Sequence, residues 1–222
     1  MIDLITKNKF HLTTAMIFFE LVVLLILPLP FLKMNLMYVI SAMVIVLFAK
    51  FMRKEKWSDY GFKSINQKML LLAIAIGIVY GIVDNYFIEQ MITKLTGVKP
   101  DLSTYENIRG DLGRLIGMLA IGWIIGGFFE EFFFRGYIFN RMQSIFHNPV
   151  VYKFITIAVT SIVFAFAHTY QGIGGIVDTG LFAVILGLLY FVFGRNIWYL
   201  IIIHGLYDMV GIFRLYLGNW PY

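Results

Sequence analysis

Long apolar runs separated by short polar breaks make up most of the sequence. They lie at about residues 10–31, 35–52, 69–92, 112–141, 151–168, a sixth run that ends at 193, and 197–217. A helix needs about 20 predominantly apolar residues to cross a hydrocarbon core about 30 Å thick, and most of the runs are long enough. The pattern therefore predicts an all-α, polytopic transmembrane helical bundle of about seven spans, with an eighth possible, forming one transmembrane domain over residues 1–222.

The polar breaks predict how the chain is oriented. With a cytoplasmic amino terminus, eleven Lys and Arg residues fall in cytoplasmic segments and six fall in the segments outside. Cytoplasmic loops of membrane proteins carry an excess of these two residue types. We therefore expect a multi-pass protein of the cell membrane with a cytoplasmic amino terminus.

Composition supports a membrane protein and excludes several kinds of site. The chain of 222 residues is 60% hydrophobic and 14% charged, with a mean hydropathy of +0.81. It has no cysteine, which excludes disulfides, thiolate nucleophiles and sulfur-ligated metals. In such a chain the net charge of +5 favours contact with the lipid bilayer, and we expect no nucleic-acid partner.

The stretch FFEEFFFRG at residues 128–136 places three charged residues inside an apolar run. Glu131 and Arg135 are four residues apart, so on a helix they share a face and can form a supporting ion pair, or a buried pair that only fixes helix packing. Glu130 points about 100° away from Glu131 on a helix. An unpaired carboxylate in hydrocarbon is costly unless it is used, so Glu130 is a candidate catalytic residue.

His168 ends the fifth predicted span, where a histidine can be either a helix-end residue or part of a site. Pro149 marks the preceding turn, and 19 residues separate it from Glu130 on one side and from His168 on the other. A simple helical hairpin would bring both side chains to the same depth, where a carboxylate and an imidazole can share a water molecule.

His204 and Asp208 form a third polar group, four residues apart in the seventh predicted span. Alone, the two residues can be a polar stripe that joins neighbouring helices. Ionisable residues are rare within spans and tend to face a shared interior site. We therefore expect all three polar groups to face one polar intramembrane cavity.

Several hydrolytic chemistries lack their motifs in this sequence. There is no His-Glu-x-x-His zinc motif and no Gly-x-Ser-x-Gly elbow. The remaining glutamate, histidine and aspartate side chains suit direct activation of water, and we expect no metal and no cofactor.

Three motifs follow one another on consecutive predicted helices. They are Glu-Glu-x-x-x-Arg at 130–135, Phe-x-x-x-His at 164–168 and His-x-x-x-Asp at 204–208. This ordered set resembles the CPBP family of type II CAAX prenyl endopeptidases and bacterial bacteriocin-processing and immunity-related (Abi) proteins. The resemblance covers about residues 110–215. It implies an intramembrane glutamate-dependent endopeptidase that hydrolyses a membrane-associated peptide or protein.

The resemblance also implies a role for each motif residue. Glu130 would act as general base with support from His168. His204 and Asp208 would stabilise the oxyanion, and Glu131 and Arg135 would hold the site together. Prenyl-processing eukaryotic members have asparagine where this chain has Asp208. An ionised aspartate cannot donate a hydrogen bond. Either His204 donates while Asp208 orients it or keeps it protonated, or Asp208 is itself protonated.

Three other functions remain open from the sequence. The first is a non-enzymatic immunity or regulatory scaffold that keeps the polar core for packing. In the second, Glu130, Glu131, His168, His204 and Asp208 bind a metal, although their spacing matches no common zinc pattern. The third is proton-coupled transport, which the absence of an inverted repeat disfavours.

Overall fold

A computed structural model describes residues 15–24 and 36–218 of the chain. Helices contain 85% of these residues, and the described part has no strand, so the predicted all-α fold is confirmed. The helices are α1 (Ala15–Leu24), α2 (Leu36–Arg53), α3 (Gln67–Thr96), α4 (Leu112–Ile145), α5 (Pro149–Ala167), α6 (Gly172–Val192) and α7 (Ile197–Tyr216).

Side-chain caps set the beginnings of four long helices. The residue before each of these helices accepts a hydrogen bond from a backbone N–H group of the first turn, and these residues are Asn66, Asp111, Asn148 and Asn196. Such caps satisfy N–H groups that have no partner within the helix. Pro149 occupies the first position of α5, where its missing N–H costs nothing. The turn predicted at Pro149 therefore separates α4 from α5.

The length and surface of the helices are those of a membrane protein. Five described segments are long and apolar enough to cross a membrane, namely α3, α4, α5, α7 and Thr169–Val192, which contains α6. Large apolar side chains such as Phe154 and Leu188 are exposed on the outside. The chain is a multi-pass membrane protein. The total of about seven spans stays a prediction, because the first predicted span, 10–31, is described only at Ala15–Leu24.

Helix α7 lies at the centre of the bundle and packs against α3 and α4, while α5 packs against α6. Glycines make these approaches close. A methyl group on Gly77 of α3 would lie 2.9 Å from the backbone oxygen of Ile203 in α7. A methyl group on Gly127 of α4 would lie 3.1 Å from the backbone oxygen of Ile201. Polar residues on α3, α4 and α7 can therefore meet across short distances.

The connecting segments gather at two ends of the bundle. At one end Lys63 donates a hydrogen bond to the backbone oxygen of Gly194 at 2.8 Å. At the other end, which we call the 97–111 end after its longest segment, the backbone N–H of Asp101 donates to the oxygen of Gln171 at 2.8 Å. This alternation is expected of helices that cross the bundle in turn.

A cluster of charged residues ties α1 and α2 to α4. Arg53 of α2 forms an ion pair with Glu20 of α1, and Arg141 of α4 binds both carboxylate oxygens of Glu55 at 2.5 and 2.6 Å. Glu20 therefore makes contacts between helices.

Candidate active site

Glu131 and Arg135 form a buried ion pair on α4, as their spacing predicts. The distance from Arg135 Nη1 to Glu131 Oε1 is 2.8 Å, and the two side chains are 1% and 0% exposed. Nη2 of Arg135 also donates to the backbone oxygen of Ala183 in α6, at 2.9 Å. Arg135 therefore connects Glu131 to a neighbouring helix as well as neutralising it.

The helix that carries this pair departs from α-helical geometry. Gly122–Glu130 and Phe132–Ile138 are both π-helical. Segments of this kind are rare and occur frequently at functional sites. The apolar pattern of the sequence did not predict them, because α4 is apolar on all sides around the motif.

Glu131 also holds His204, a contact that the sequence analysis missed. Nδ1 of His204 lies 2.8 Å from Oε1 of Glu131, the same oxygen that Arg135 contacts. A carboxylate oxygen accepts hydrogen bonds, so Nδ1 carries the proton. Glu131 therefore fixes the orientation of the imidazole and leaves Nε2 for chemistry.

Nε2 of His204 faces the two remaining carboxyls of the motifs. It lies 3.9 Å from Oε2 of Glu130 and 3.7 Å from Oδ1 of Asp208. One of the expected roles of Asp208 was to orient His204. In the structure Glu131 contacts Nδ1 of His204, whereas Asp208 approaches Nε2.

Glu130 is buried within the protein, but its side chain faces a cavity. Its side chain lines a cavity and makes no hydrogen bond to any described residue. Asp208 lies on α7 and is more exposed than Glu130, with 24% of its side chain exposed. The carboxyl of Glu130 therefore faces the cavity, and its role as general base stays a prediction.

His168 ends α5 with its tautomer set by the backbone. Nδ1 of His168 lies 2.8 Å from the carbonyl oxygen of Phe164. A carbonyl can only accept, so Nδ1 donates and the neutral ring keeps a lone pair on Nε2. The Phe164 ring lies against His168, with ring centroids 4.6 Å apart. The phenylalanine of the second motif therefore positions its histidine through both backbone and ring.

A cavity of about 840 Å³ brings the four candidate catalytic residues together. It is lined by Glu130, His168, His204 and Asp208, together with residues of α3, α6 and the 97–111 end. Glu130 and His168 face this cavity without a direct hydrogen bond or ion pair between them in the described part of the chain. Contact through one water molecule stays a prediction.

Gly126 leaves the space that the cavity polar groups occupy. A methyl group on Gly126 would collide with Oδ2 of Asp208 and would lie 3.4 Å from Nε2 of His204. Gly122, one turn earlier, also lies close to Asp208, because a methyl group on Gly122 would lie 3.4 Å from the same oxygen. Glycine on α4 is therefore part of the geometry of the site.

The residues that could serve a metal do not form a ligand set. Across residues 15–24 and 36–218, no group of three or more His, Asp or Glu side chains is arranged to hold a metal ion. The five residues of the metal hypothesis do share one region of the fold, so chelation remains the direct test of that hypothesis.

Comparison with known proteins gives a match to one family for the part of the chain that carries the motifs. Residues 113–210 match the family model of Rce1-like type II CAAX prenyl endopeptidases. This region is similar to Rce1-like proteins, and we call it the Rce1-like region. The match covers 98 of the 222 residues and includes all three motifs, which confirms the resemblance to the CPBP family. No curated protein and no solved structure gives a significant match.

The Rce1-like region accounts for α4 to α7 and not for all of the cavity. Helix α3 precedes the matched residues and supplies Asp84, Asn85 and Glu89 to the cavity wall. Asp178 of α6 lies within the matched region and outside the three motifs. The sequence analysis assigned none of these residues a role. An acidic residue inside an apolar run, the feature that singled out Glu130, also occurs at Asp84 and Asp178.

Proposed function

We propose that the protein is an intramembrane glutamate-dependent endopeptidase that hydrolyses a peptide bond of a membrane-associated substrate. The proposal rests on Glu130, which is buried, makes no hydrogen bond to a described residue and faces the same cavity as His168 and His204. The Rce1-like match of the same residues supports a protease.

The geometry suggests how a water molecule would be used. Glu130 removes a proton from water, and the lone pair on Nε2 of His168 accepts a hydrogen bond that aligns it. The resulting hydroxide attacks the carbonyl carbon of the substrate. The proton held by Glu130 then passes to the leaving amine as the carbon–nitrogen bond breaks, so that no cofactor is consumed.

Charge that develops on the carbonyl oxygen would be stabilised by His204 or Asp208. With Nδ1 donating to Glu131, a protonated His204 offers Nε2–H to the oxyanion. A protonated Asp208 would offer a second donor beside it. Glu131 and Arg135 are positioning residues in this scheme, because they act through His204 and α6.

Substitution of Glu130 by glutamine tests the proposal. The change removes the general base and keeps the size of the side chain. Membrane fractions of cells with wild-type protein or Glu130→Gln should differ in peptide content, and purified wild type should cleave the peptides that accumulate in the variant. Equal amounts of folded protein must be present, measured by size-exclusion chromatography in detergent.

Two outcomes would contradict an enzyme. Identical peptide content in the two strains, with the cellular role of the protein retained in Glu130→Gln, would support the immunity or regulatory scaffold. Loss of folded protein in Glu130→Gln would mean that the glutamate is structural.

For orientation, we propose a cell-membrane protein with a cytoplasmic amino terminus, which places the 97–111 end and its side of the cavity outside. The chain has no cysteine, so single cysteines can report each end. Ser58→Cys and Ser103→Cys replace exposed residues at opposite ends. A membrane-impermeant maleimide should label Ser103→Cys in intact cells and Ser58→Cys only after lysis. The reverse pattern would overturn the orientation.

A further inference from the structure

Two aspartates line the cavity away from the three motifs. Asp84 lies in the π-helical segment of α3 and Asp178 lies in α6, and they are 2% and 8% exposed. They belong to neighbouring walls of the cavity, on α3 and α6. Both face the cavity that contains Glu130 and His204.

The two carboxyls are incompletely satisfied. Tyr207 donates to Oδ2 of Asp84 at 2.9 Å. Oδ1 of Asp84 and Oδ1 of Asp178 have no hydrogen-bond partner, and neither carboxyl forms an ion pair with another residue in the described ranges. Two adjacent buried carboxyls cannot both be ionised without a cation, unless they share a proton. No cation forms an ion pair with Asp84 or Asp178 in the described ranges, so without a bound cation the two carboxyls hold a proton between them.

Glu89, a neighbouring acid on α3, does have a cationic partner. Nη1 of Arg214 lies 2.6 Å from Oε2 of Glu89 and 2.9 Å from Oδ1 of Asn85. Arg214 is thus engaged with these two side chains of α3. Among the acids on this wall of the cavity, Asp84 and Asp178 form no ion pair in the described part of the chain.

Aromatic rings connect the aspartate pair to the motif residues. The ring centroids of His204 and Tyr207 are 6.5 Å apart, and the Tyr207 hydroxyl reaches Asp84. Phe182 packs on both, 4.9 Å from the His204 ring and 4.0 Å from the Tyr207 ring. At about 3.3 Å per extended residue, the pair lies within about four residues of a peptide bond held at His204.

We propose that Asp84 and Asp178 form an acidic subsite that binds a Lys or Arg side chain of the substrate, within about four residues of the hydrolysed bond. An ammonium or guanidinium group supplies a positive charge to the pair and N–H donors to its carboxyl oxygens. The rings of Phe182 and Tyr207 offer an apolar wall for the methylene stem of such a side chain. The inference rests on the proposed peptidase function.

The test compares matched peptides in lipid nanodiscs. One set of apolar peptides carries a single lysine at each of the four positions on either side of the cleaved bond. The second set carries norleucine, which keeps the stem and removes the charge. Wild type should cleave the lysine peptide at one position with kcat/KM higher by about tenfold or more, the range of hydrogen bonds to charged groups.

Asp178→Asn should abolish this preference, so that the ratio of kcat/KM for the lysine peptide to kcat/KM for the norleucine peptide falls to about one. Glu106→Gln, which removes a charge from the exposed 97–111 segment, should keep the preference. Equal cleavage of lysine and norleucine peptides by wild type would overturn the subsite without touching the peptidase function. A lysine preference that survives in Asp178→Asn and in the double variant Asp84→Asn/Asp178→Asn would also overturn it.

Binding to the Glu130→Gln protein separates the two proposals. If wild type cleaves no peptide, the peptidase function fails, and the affinity of Glu130→Gln for the lysine and norleucine peptides decides the subsite. Tighter binding of the lysine peptide, lost when Asp178→Asn is added, supports the subsite. Equal affinities overturn it.

Discussion

A single oxygen atom organises the candidate site at the scale of residues. Oε1 of Glu131 contacts both Arg135 and His204, each at 2.8 Å. The arginine neutralises the buried carboxylate, and the carboxylate in turn sets the imidazole. The two adjacent glutamates of the first motif therefore do different work, one in positioning and one facing the cavity.

Removal of Arg135 should destabilise the fold. Arg135→Ala leaves the Glu131 carboxylate buried without its partner, and it should lower the free energy of unfolding by about 3–5 kcal/mol, less if water enters the cavity. Arg114→Ala on the same helix is the matched control. Its ion pair with Asp111 has side chains 55% and 48% exposed, and exposed pairs contribute about 0–1 kcal/mol.

Unfolding in mixed micelles with increasing SDS would measure both changes. Similar losses in Arg135→Ala and Arg114→Ala would contradict a structural role for the buried pair. Loss of folded protein in Glu130→Gln as large as in Arg135→Ala would mean that the whole cluster serves packing.

Gly126 should be sensitive to a single methyl group. Gly126→Ala places a carbon against Asp208 and close to His204, so these side chains must shift and activity should fall at least about tenfold, as expected when catalytic groups are displaced. Gly117→Ala is the control, because its methyl group meets nothing within 4 Å on the same helix. Peptidase assays at equal folded protein compare the two, and full activity in Gly126→Ala would show that Asp208 can move freely.

At the scale of elements, the ends of the helices follow signals that the sequence displays. The predicted runs 69–92, 151–168 and 197–217 became Gln67–Thr96, Pro149–Ala167 and Ile197–Tyr216. Asparagine caps and Pro149 mark several of these boundaries, and they are local in sequence. Boundaries could therefore be predicted within a few residues.

The partners of buried polar groups could not be predicted in the same way. The Glu131–Arg135 pair follows from helical spacing alone. The contact of Glu131 with His204 joins residues 73 positions apart, and it depends on how α4 and α7 pack. The sequence does not indicate which helix each of the glycines in this packing contacts. The pair of Asp84 and Asp178 was missed for the same reason.

The connection between α2 and α4 should depend on pH. Burial raises the pKa of Glu55, but hydrogen bonds from Arg141 and Tyr60 and the charge of Arg141 outweigh it, so the pKa lies below its ordinary value. A carboxyl with a lowered pKa stabilises the fold above its unfolded pKa of about 4.3, and this contribution is lost as the pH falls through the folded pKa.

Thermal unfolding followed by tryptophan fluorescence between about pH 3 and 6, the range around that unfolded pKa, tests this dependence. The unfolding temperature of wild type should exceed that of Glu55→Gln at the upper end, and the difference should shrink as acid is added. Glu106→Gln controls for removal of an exposed carboxylate. A difference that stays constant with pH would show that Glu55 acts by packing and not by charge.

At the scale of the molecule, the cavity is lined both by residues inside the family match and by residues outside it. The motif residues lie within the Rce1-like match at 113–210, and α3 adds Asp84, Asn85 and Glu89 from outside it. In the proposed function the chemistry comes from the matched region, while the wall that meets the substrate includes a helix outside the match. Changes in α3 are therefore expected to alter substrate preference without a change in the motifs.

The whole protein should keep its activity without metal. In the proposed mechanism no side chain depends on a metal, because Glu130 acts as base, His168 uses its free Nε2, and His204, held by Glu131, faces the oxyanion. Hydrolysis of a lysine or norleucine peptide should therefore survive exhaustive treatment with a membrane-permeant chelator such as 1,10-phenanthroline. Its non-chelating 1,7-isomer controls for occupation of the cavity by the aromatic rings. Loss of activity with the 1,10-isomer alone, followed by recovery on addition of zinc, would reassign Glu130, His168 and His204 as metal ligands.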